Sequence, residues 1–470
     1  MAESRSNSRP LGDLLIELGR DVPMPLHRQI EGSIRDGIRS GRLGLGSSLP
    51  STRTLAADLG VSRGVVVEAY QHLIAEGYLT SRRGGYTQVA AGADPSSTSA
   101  PSVPTHAPGI DFRSCRPDVS QFPRAAWLRS VRRVLTEAPK DRFYLGGRGL
   151  PELREALADY LNRARGTSVK PENVLICNGY TQGIALLIQV LAASGAKRLA
   201  VEEPSSDDDA IPIAAAAGLD VVGVPVDHDG IRVDVLDRVD ADVVVLTPSH
   251  QWPTGAVLPA ESRAAVLRWA NRRGALIVED DYDAEFRYDQ APIGAMQGLA
   301  SDQVVYAGTA SKTLAPGLRL GWLVAPGHLV DDLAAAKVAV DRGSPVLDQL
   351  AFADFLSHGE FDRHLRRMRP IYRRRRDALL KALRERVPDL EPAGIAAGLH
   401  LVAWLPSDLD EARVVNSAAE RGLNVFGVAP YRISGPGRGG LIFGYATLGE
   451  RAIAQGIDLL ASAIYEVRSA

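Results

Sequence analysis

Along the first ninety residues, apolar side chains recur at helical spacing. Leu26, Ile30, Ile34 and Ile38 repeat every four residues as far as Gly41, which predicts an amphipathic helix. Ser51 is placed to cap a second helix carrying Leu55 and Leu59. Gly60-Val61-Ser62 then turns the chain, and a third helix opens at Ser62 or Arg63 with Val66, Ala69, Tyr70 and Leu73 inward. Helix, tight turn, helix is helix-turn-helix architecture. From Tyr78-Leu79 to Val89, broken by Gly84-Gly85, the pattern becomes a β-hairpin with Arg82 and Arg83 at its turn.

The pattern then lapses. Residues 91–108 (AGADPSSTSAPSVPTHAP) are small, polar and proline-rich, and cannot bury enough to order themselves, which predicts a semi-extended linker. From 110 on, continuous apolar runs predict strands at Val174–Cys177, Arg198–Glu202, Val221–Val226, Val243–Leu246, Leu276–Asp280, Val304–Gly308 and Leu320–Ala325. Helical stretches such as Gln182–Ala193 and Glu261–Arg273 lie between them. Unbroken rather than alternating apolar strands indicate an α/β fold with a mostly parallel sheet covered on both faces. The expected domains are 21–90, a linker over 91–108, and 109–470 with a smaller C-terminal α+β part over about 341–470.

Composition narrows the partners. The chain has 470 residues, too many for one simple core, and a formal net charge of −2, so nucleic-acid binding must come from a local basic surface. A helix N-terminus bearing Ser62 and Arg63 beside an arginine-tipped hairpin suits phosphate contact and major-groove entry, although small helical domains also bind proteins. The only two cysteines, Cys115 and Cys177, have no metal-like spacing and suggest a reduced, cytoplasmic setting. No apolar run approaches a membrane span. The 9 histidines show no ligand pair at helical spacing, so no metal site is expected.

The most distinctive stretch is VVYAGTASKTLAPGLRLGW, Val304 to Trp322. Lys312 follows a buried-looking strand, where an unpaired ammonium is costly. An amine whose pKa is lowered by burial is nucleophilic toward an aldehyde, so Lys312 is a candidate Schiff-base lysine. Thr309 and Ser311 offer hydroxyls, and Arg319 a fork of donors, to an anion such as a phosphate. A loop lysine beside a salt-bridged arginine is the plainer alternative. Asn178 to Gln182 opens a helix after a strand and offers amides to a phosphate. Thr247 to Gly255 (TPSHQWPTG) is a stiff polar loop that either presents Ser249, His250 or Gln251 to a ligand or is a simple turn. Val278 to Asp283 (VEDDYD) ends a strand in carboxylates. One of them could meet a protonated ring nitrogen, with Tyr282 on a phenolate oxygen, or the group could be a magnesium-like site. Tyr144 to Arg154 (YLGGRGLPELR) is glycine-rich, but no GKS/T follows Gly149.

PLHRQI, LPSTRTLA, LGVSR, AYQHLIAEGYL and RRGG resemble the winged helix-turn-helix of the GntR family. The later motifs, in this order, resemble fold-type I pyridoxal-phosphate (PLP) aminotransferases. Together the chain is similar to MocR/GabR-type transcriptional regulators over about residues 23–470. That resemblance implies an N-terminal winged helix-turn-helix joined to a PLP-dependent transferase-like large domain. Arg53, Ser62 and Arg63 would contact operator DNA, supported by Tyr70, Arg82 and Arg83. Lys312 would carry the cofactor as an internal aldimine, and Asp280, with Asp281 as its competitor, would face the pyridine nitrogen. Tyr282 would face O3′, and Tyr180, Thr181, Thr309, Ser311 and Arg319 would surround the phosphate. A homodimer is implied, with Tyr144 reaching the partner's cofactor, and Arg432, with Arg438 as rival, would hold an effector carboxylate.

The departures from the family concern both ends of the chain. Gly64 replaces a threonine that helps hold DNA, and the wing is shortened. Glu203 to Asp209 (EPSSDDD) lacks the tyrosine and arginine the family places there, so the implied effector is cationic or amine-rich, or PLP itself. An active aminotransferase with a DNA-binding head, and a regulator of PLP level alone, are the rival readings. The basic run Arg363 to Arg376 reads as a solvated helix face, with a DNA-backbone contact as its alternative.

Overall fold

A computed structural model describes residues 16, 18–19, 23–81, 86–90, 109–144, 146–205, 210–288, 293–394 and 396–469. The chain divides into two compact units, Met1–Thr105 and His106–Ala470. The division falls within the stretch expected to be a linker, which lies outside the described residues.

In the first unit, α1 (Leu26–Arg39), α2 (Thr52–Leu59) and α3 (Arg63–Ala75) precede a hairpin of β1 (Leu79–Ser81) and β2 (Thr87–Val89). The strands pair antiparallel, with Leu79 opposite Val89. Ile30, Ile34, Ile38, Leu55, Val66, Leu73, Leu79 and Val89 share one core, so the four-residue repeat of α1 is its buried stripe. Ser51 accepts a hydrogen bond from the Thr54 N–H at the start of α2, and Gly60 ends that helix at φ 62°. A left-handed residue is costly for anything but glycine, and it gives the sharp turn into α3.

The second unit holds an eight-stranded sheet. Its strands are β3 (Val174–Cys177), β4 (Arg198–Glu203), β5 (Asp220–Asp227), β6 (Gly230–Ile231), β7 (Val243–Leu246), β8 (Leu276–Asp281), β9 (Val304–Thr309) and β10 (Gly321–Val324). Their spatial order is β3-β10-β9-β8-β7-β4-β5-β6. The middle of the sheet, from β9 to β5, is parallel. β10 runs antiparallel to both of its neighbours, a direction that an apolar run does not encode.

The period of two divides each strand between two helical layers. Val243 and Val245 of β7 pack with Ile184 and Leu187 of the helix Tyr180–Ala193. Val244 and Leu246 pack with Val266 and Trp269 of the helix Ala260–Arg273. The C-terminal part adds an antiparallel sheet of Glu391–Ala393, His400–Trp404, Gly440–Gly444 and Phe426–Gly427. Ile110–Asp111 pairs with Leu423–Asn424, which fixes the segment entering this unit beside that sheet.

The basic run lies on the helix Glu360–Arg386 with Leu365, Met368 and Tyr372 buried. Its outer face is not simply solvated. Arg369 donates to the Glu285 carbonyl at 2.8 Å, and Arg375 pairs with Asp118 at 2.9 Å. Arg367 likewise donates to the Gln121 carbonyl, so several of its guanidiniums are tied to neighbouring segments.

Candidate functional site

At the carboxyl ends of β8 and β9 opens a cavity of about 550 Å³. Lys312, Asp280, Tyr282, Thr309, Ser311, Arg319, Tyr180 and Thr181 all line it. The sequence scatters them over more than a hundred residues; the sheet order brings them together, because parallel strands end on one side.

One end of the cavity suits an anion. Thr309 Oγ1 lies 3.0 Å from Ser311 Oγ and accepts from the Ser311 N–H at 3.1 Å. Arg319, left-handed at φ 50°, donates to the Asn178 carbonyl at 2.7 Å. Gly179, at φ 87°, precedes the helix that begins at Tyr180, whose first N–H groups have no partner within the helix. A Cβ on Gly179 would stand 2.8 Å from the Arg319 guanidinium. A bare backbone here is what lets the helix N-terminus approach Arg319.

The other end is set by alternation along β8. Asp280 shares the face of Leu276 and Val278, toward the Tyr180–Ala193 helix, and lines the cavity. Its neighbours point the other way. Glu279 accepts from the Met296 and Gln297 N–H groups at 3.0 Å each. Asp281 accepts from Arg165 Nε at 2.7 Å and from the Tyr306 hydroxyl at 2.8 Å. By this alternation Asp280 lines the cavity and Asp281 is committed to the opposite face.

Tyr282 donates to the His250 carbonyl at 2.9 Å, and burial pushes its hydroxyl well above the usual tyrosine range. The loop Thr247 to Gly255 does not present Ser249, His250 or Gln251 to the cavity. Ser249 accepts from Arg165 at 3.1 Å, His250 faces Asp283 at 3.1 Å, and Gln251 donates to the Pro204 carbonyl at 2.9 Å. Thr247 and Trp252 line the cavity instead.

Behind Thr247, the buried Glu202 carboxylate accepts from its N–H at 2.9 Å and its hydroxyl at 2.5 Å. Burial pushes Glu202 up to about 7, and the hydrogen bonds from Thr247 only partly oppose this. A carboxyl raised on folding contributes stability that is full below its unfolded value and is lost as pH rises through its folded value. From about 4.5 to about 7 this amounts to roughly 3 kcal/mol. Glu202→Gln keeps the acceptor and removes the titration. Urea unfolding at pH 5 and pH 8 is therefore expected to show a smaller loss of stability with rising pH in the variant than in the wild type.

Several residues of the cavity were not singled out from sequence. Arg113, Ser114, Cys115 and Arg116 line it, carried in by the segment after Ile110–Asp111, as do Phe426 and Tyr431. Cys115 sits at φ 58°, an uncommon conformation for a residue with a Cβ. For Arg113 to Arg116 the signal was the dense polar run between Phe112 and Pro117, directly after the two-residue strand Ile110–Asp111. Arg432 and Arg438 do not line the cavity. Arg432 donates to the Arg438 carbonyl at 2.9 Å, and Arg438 pairs with Glu391, because their loop turns away while Tyr431 turns in. Tyr144 is 77% exposed and is also outside it. Asp207 to Asp209, on which the expectation of a cationic effector rests, lie outside the described residues.

In the first unit Arg53, Ser62 and Arg63 are exposed around the N-termini of α2 and α3. Ser62 precedes α3 without a side-chain cap bond, and Arg63 Nε is 3.4 Å from Thr52 Oγ1. Tyr70 does not join them. It is 3% exposed and donates to the Pro50 carbonyl at 2.9 Å, since position 70 falls on the inward stripe with Val66 and Leu73. Arg82 and Arg83 lie outside the described residues.

Residues 26–89 match the bacterial regulatory proteins of the gntR family, and residues 110–443 match aminotransferase class I and II. The fold and cavity thus define a DNA-binding helix-turn-helix joined to an aminotransferase-type domain that binds PLP. Across 97% of its length the chain is 34% identical to the probable rhizopine catabolism regulatory protein MocR of Rhizobium meliloti, 97% of which is covered. It is 32% identical, over 93% of this chain and 95% of the relative, to the pyridoxine biosynthesis transcriptional regulator PdxR of Corynebacterium glutamicum. The chain belongs to the MocR/GabR-type family of transcriptional regulators. The crystal structure of an archaeal alanine:glyoxylate aminotransferase is 29% identical and matches with a TM-score of 0.70 over 77% of this chain and 91% of that one. No helix among the described residues is long and apolar enough to cross a membrane.

Proposed function

We propose that this PLP-dependent, DNA-binding regulator responds to a small primary amine carrying an anionic group, which enters the cavity beside the cofactor. The observation that carries this reading is the presence of Arg113 and Arg116 on the wall of the cavity that also holds Lys312, Asp280 and Tyr282. When bound, the cofactor supplies an aldehyde that combines covalently with primary amines and a ring that withdraws electrons.

The chain's own residues fit that group from end to end. Arg319, Ser311, Thr309 and the amides at Tyr180 and Thr181 form a phosphate cradle of cation, hydroxyls and helix N-terminus. Asp280 would hold a proton on the ring nitrogen, Tyr282 would hydrogen-bond the phenolic oxygen, and Lys312 would provide the attachment amine. Arg113 and Arg116 orient the effector's anion, a role that Arg432 is not placed to fill. In the first unit Arg53, Ser62 and Arg63 contact operator DNA, the serine and Arg63 at the helix N-terminus. A cytoplasmic homodimer on paired half-sites completes the reading.

Effector binding shifts operator affinity only by its difference in affinity for the two states. The test follows the visible absorption and the operator binding of the PLP-loaded protein during titration with amino acids and with their decarboxylated amines. Carboxylate-bearing amines are expected to act at lower concentration, and Arg116→Ala to reduce that advantage at least tenfold. Operator affinity that moves with PLP alone and with no amine would instead establish a regulator of PLP level. Sustained turnover of an amino-donor and keto-acid pair would establish an aminotransferase with a DNA-binding head.

A further inference from the structure

Chemistry-bearing side chains cluster a second time, in the DNA-binding unit. His27 and Glu31 lie four residues apart on α1, and Glu68 and His72 four apart on α3, so each pair occupies one helix face. The two faces meet. Glu31 Oε1 is 2.7 Å from His72 Nδ1, and Glu68 Oε2 is 3.7 Å from His27 Nδ1. The two imidazoles stand edge to face with centroids 6.0 Å apart. One ligand atom each from His27, Glu31 and His72 lies within 4.8 Å of the other two. The second Glu31 oxygen takes Arg28 Nη1 at 3.0 Å. The Glu31 side chain is 1% exposed, whereas those of His27, His72 and Glu68 are 21%, 41% and 51% exposed. The set is rooted on a buried carboxylate and open to water on one side.

We propose that His27, Glu31 and His72, with Glu68 as the fourth ligand, bind a divalent first-row transition ion, zinc foremost, that bridges α1 to α3. Two imidazoles with two carboxylates are the donor set such ions take, whereas magnesium and calcium require oxygen ligands throughout. Bonds of about 2.0–2.2 Å place tetrahedral ligand atoms roughly 3.3 Å apart. His27, Glu31 and His72 would close to that spacing from within 4.8 Å by side-chain rotation, and the exposed Glu68, 3.7 Å from His27, would turn in to complete the set. The ion would add a cross-link to the interface formed by Ile30, Ile34, Val66 and Leu73, and so steady the helix whose N-terminus carries Ser62 and Arg63. Because it binds the folded arrangement, it would stabilise this unit by mass action. Scanning the sequence for paired histidines does not reveal the set, because each helix supplies one histidine and one glutamate.

The test is calorimetric titration of untagged, PLP-loaded full-length protein with zinc, repeated with His27→Gln and His72→Gln. A cobalt titration read between the cofactor band and the far red accompanies it. The wild type is expected to bind one equivalent per chain and to give the absorption of four-coordinate cobalt. Each substitution is expected to weaken binding at least tenfold and to remove the cobalt spectrum. Absence of saturable binding in the wild type overturns the proposal. So does binding that survives both substitutions, as it would if the ion went to the other buried cluster, His250, Asp283 and His400. Circular dichroism and retained operator binding show that the variants are folded.

Discussion

Lys312→Ala is expected to abolish the visible absorption band of the PLP-loaded protein and its fixation by borohydride. Lys312 lines the same cavity as Thr309, Ser311, Asp280 and Tyr282. Among the described residues it is the only lysine on the cavity wall. With its amine as the proposed attachment point, borohydride should fix one cofactor per wild-type chain as a secondary amine on the peptide containing Lys312. The alanine variant should show none of this label while keeping the circular dichroism of the wild type. Phosphate contacts remain in the variant, so free PLP should still associate, but reversibly and with the spectrum of the free aldehyde. Label recovered on another residue, or an unchanged band in the variant, would overturn the assignment of Lys312.

The second large effect concerns a residue that touches no ligand. Arg165→Ala is expected to destabilise the second unit by about 3–5 kcal/mol, because it strands a buried carboxylate. The side chains of Arg165 and Asp281 are each only 2% exposed and pair at 2.7 Å. Arg165 also donates to Ser249 at 3.1 Å and to the Ile293 carbonyl at 2.9 Å. One guanidinium thus joins the end of β8, the loop after β7 and the segment leading to β9. Its removal leaves Asp281 with the Tyr306 hydroxyl alone and frees the strand end that aims Asp280 at the cavity. Urea unfolding monitored by tryptophan fluorescence measures the loss. The double substitution Arg165→Met with Asp281→Asn should be distinctly less damaging than Arg165→Ala, since no unpaired charge is left. Additive losses in the pair would show that the arginine acts by packing rather than by compensating charge.

How much of this was legible beforehand depended on the kind of signal. The strand Val304 to Thr309 and the serine and lysine after it could be read directly, because an apolar run ending in polar residues marks a strand end, and parallel strands end at the site. The pairing of Gly179 with Arg319 could not, since it concerns a backbone and a guanidinium 140 residues apart in the chain that approach too closely for a Cβ. The segment Arg113 to Arg116 was missed for a related reason. It belongs to no long element and reaches the cavity only because Ile110–Asp111 pairs with Leu423–Asn424, near the other end of the chain. Arg432 misled in the opposite sense. An arginine late in the small domain is the right type of residue, but one residue's difference in a turn sends Tyr431 inward and Arg432 away.

The sequence by itself determined the two units, the helix-turn-helix with its inward stripe, the α/β layering and the chemistry gathered around Lys312. All of these follow from local periodicity and from residue types next to element ends. Only the tertiary structure decided which of Asp280 and Asp281 faces the cavity and which arginines stand beside it. It also brought His27 and Glu31 against Glu68 and His72. Periodicity sets which side of its own element a residue occupies, whereas the partner on that side is chosen by packing between segments distant in the chain.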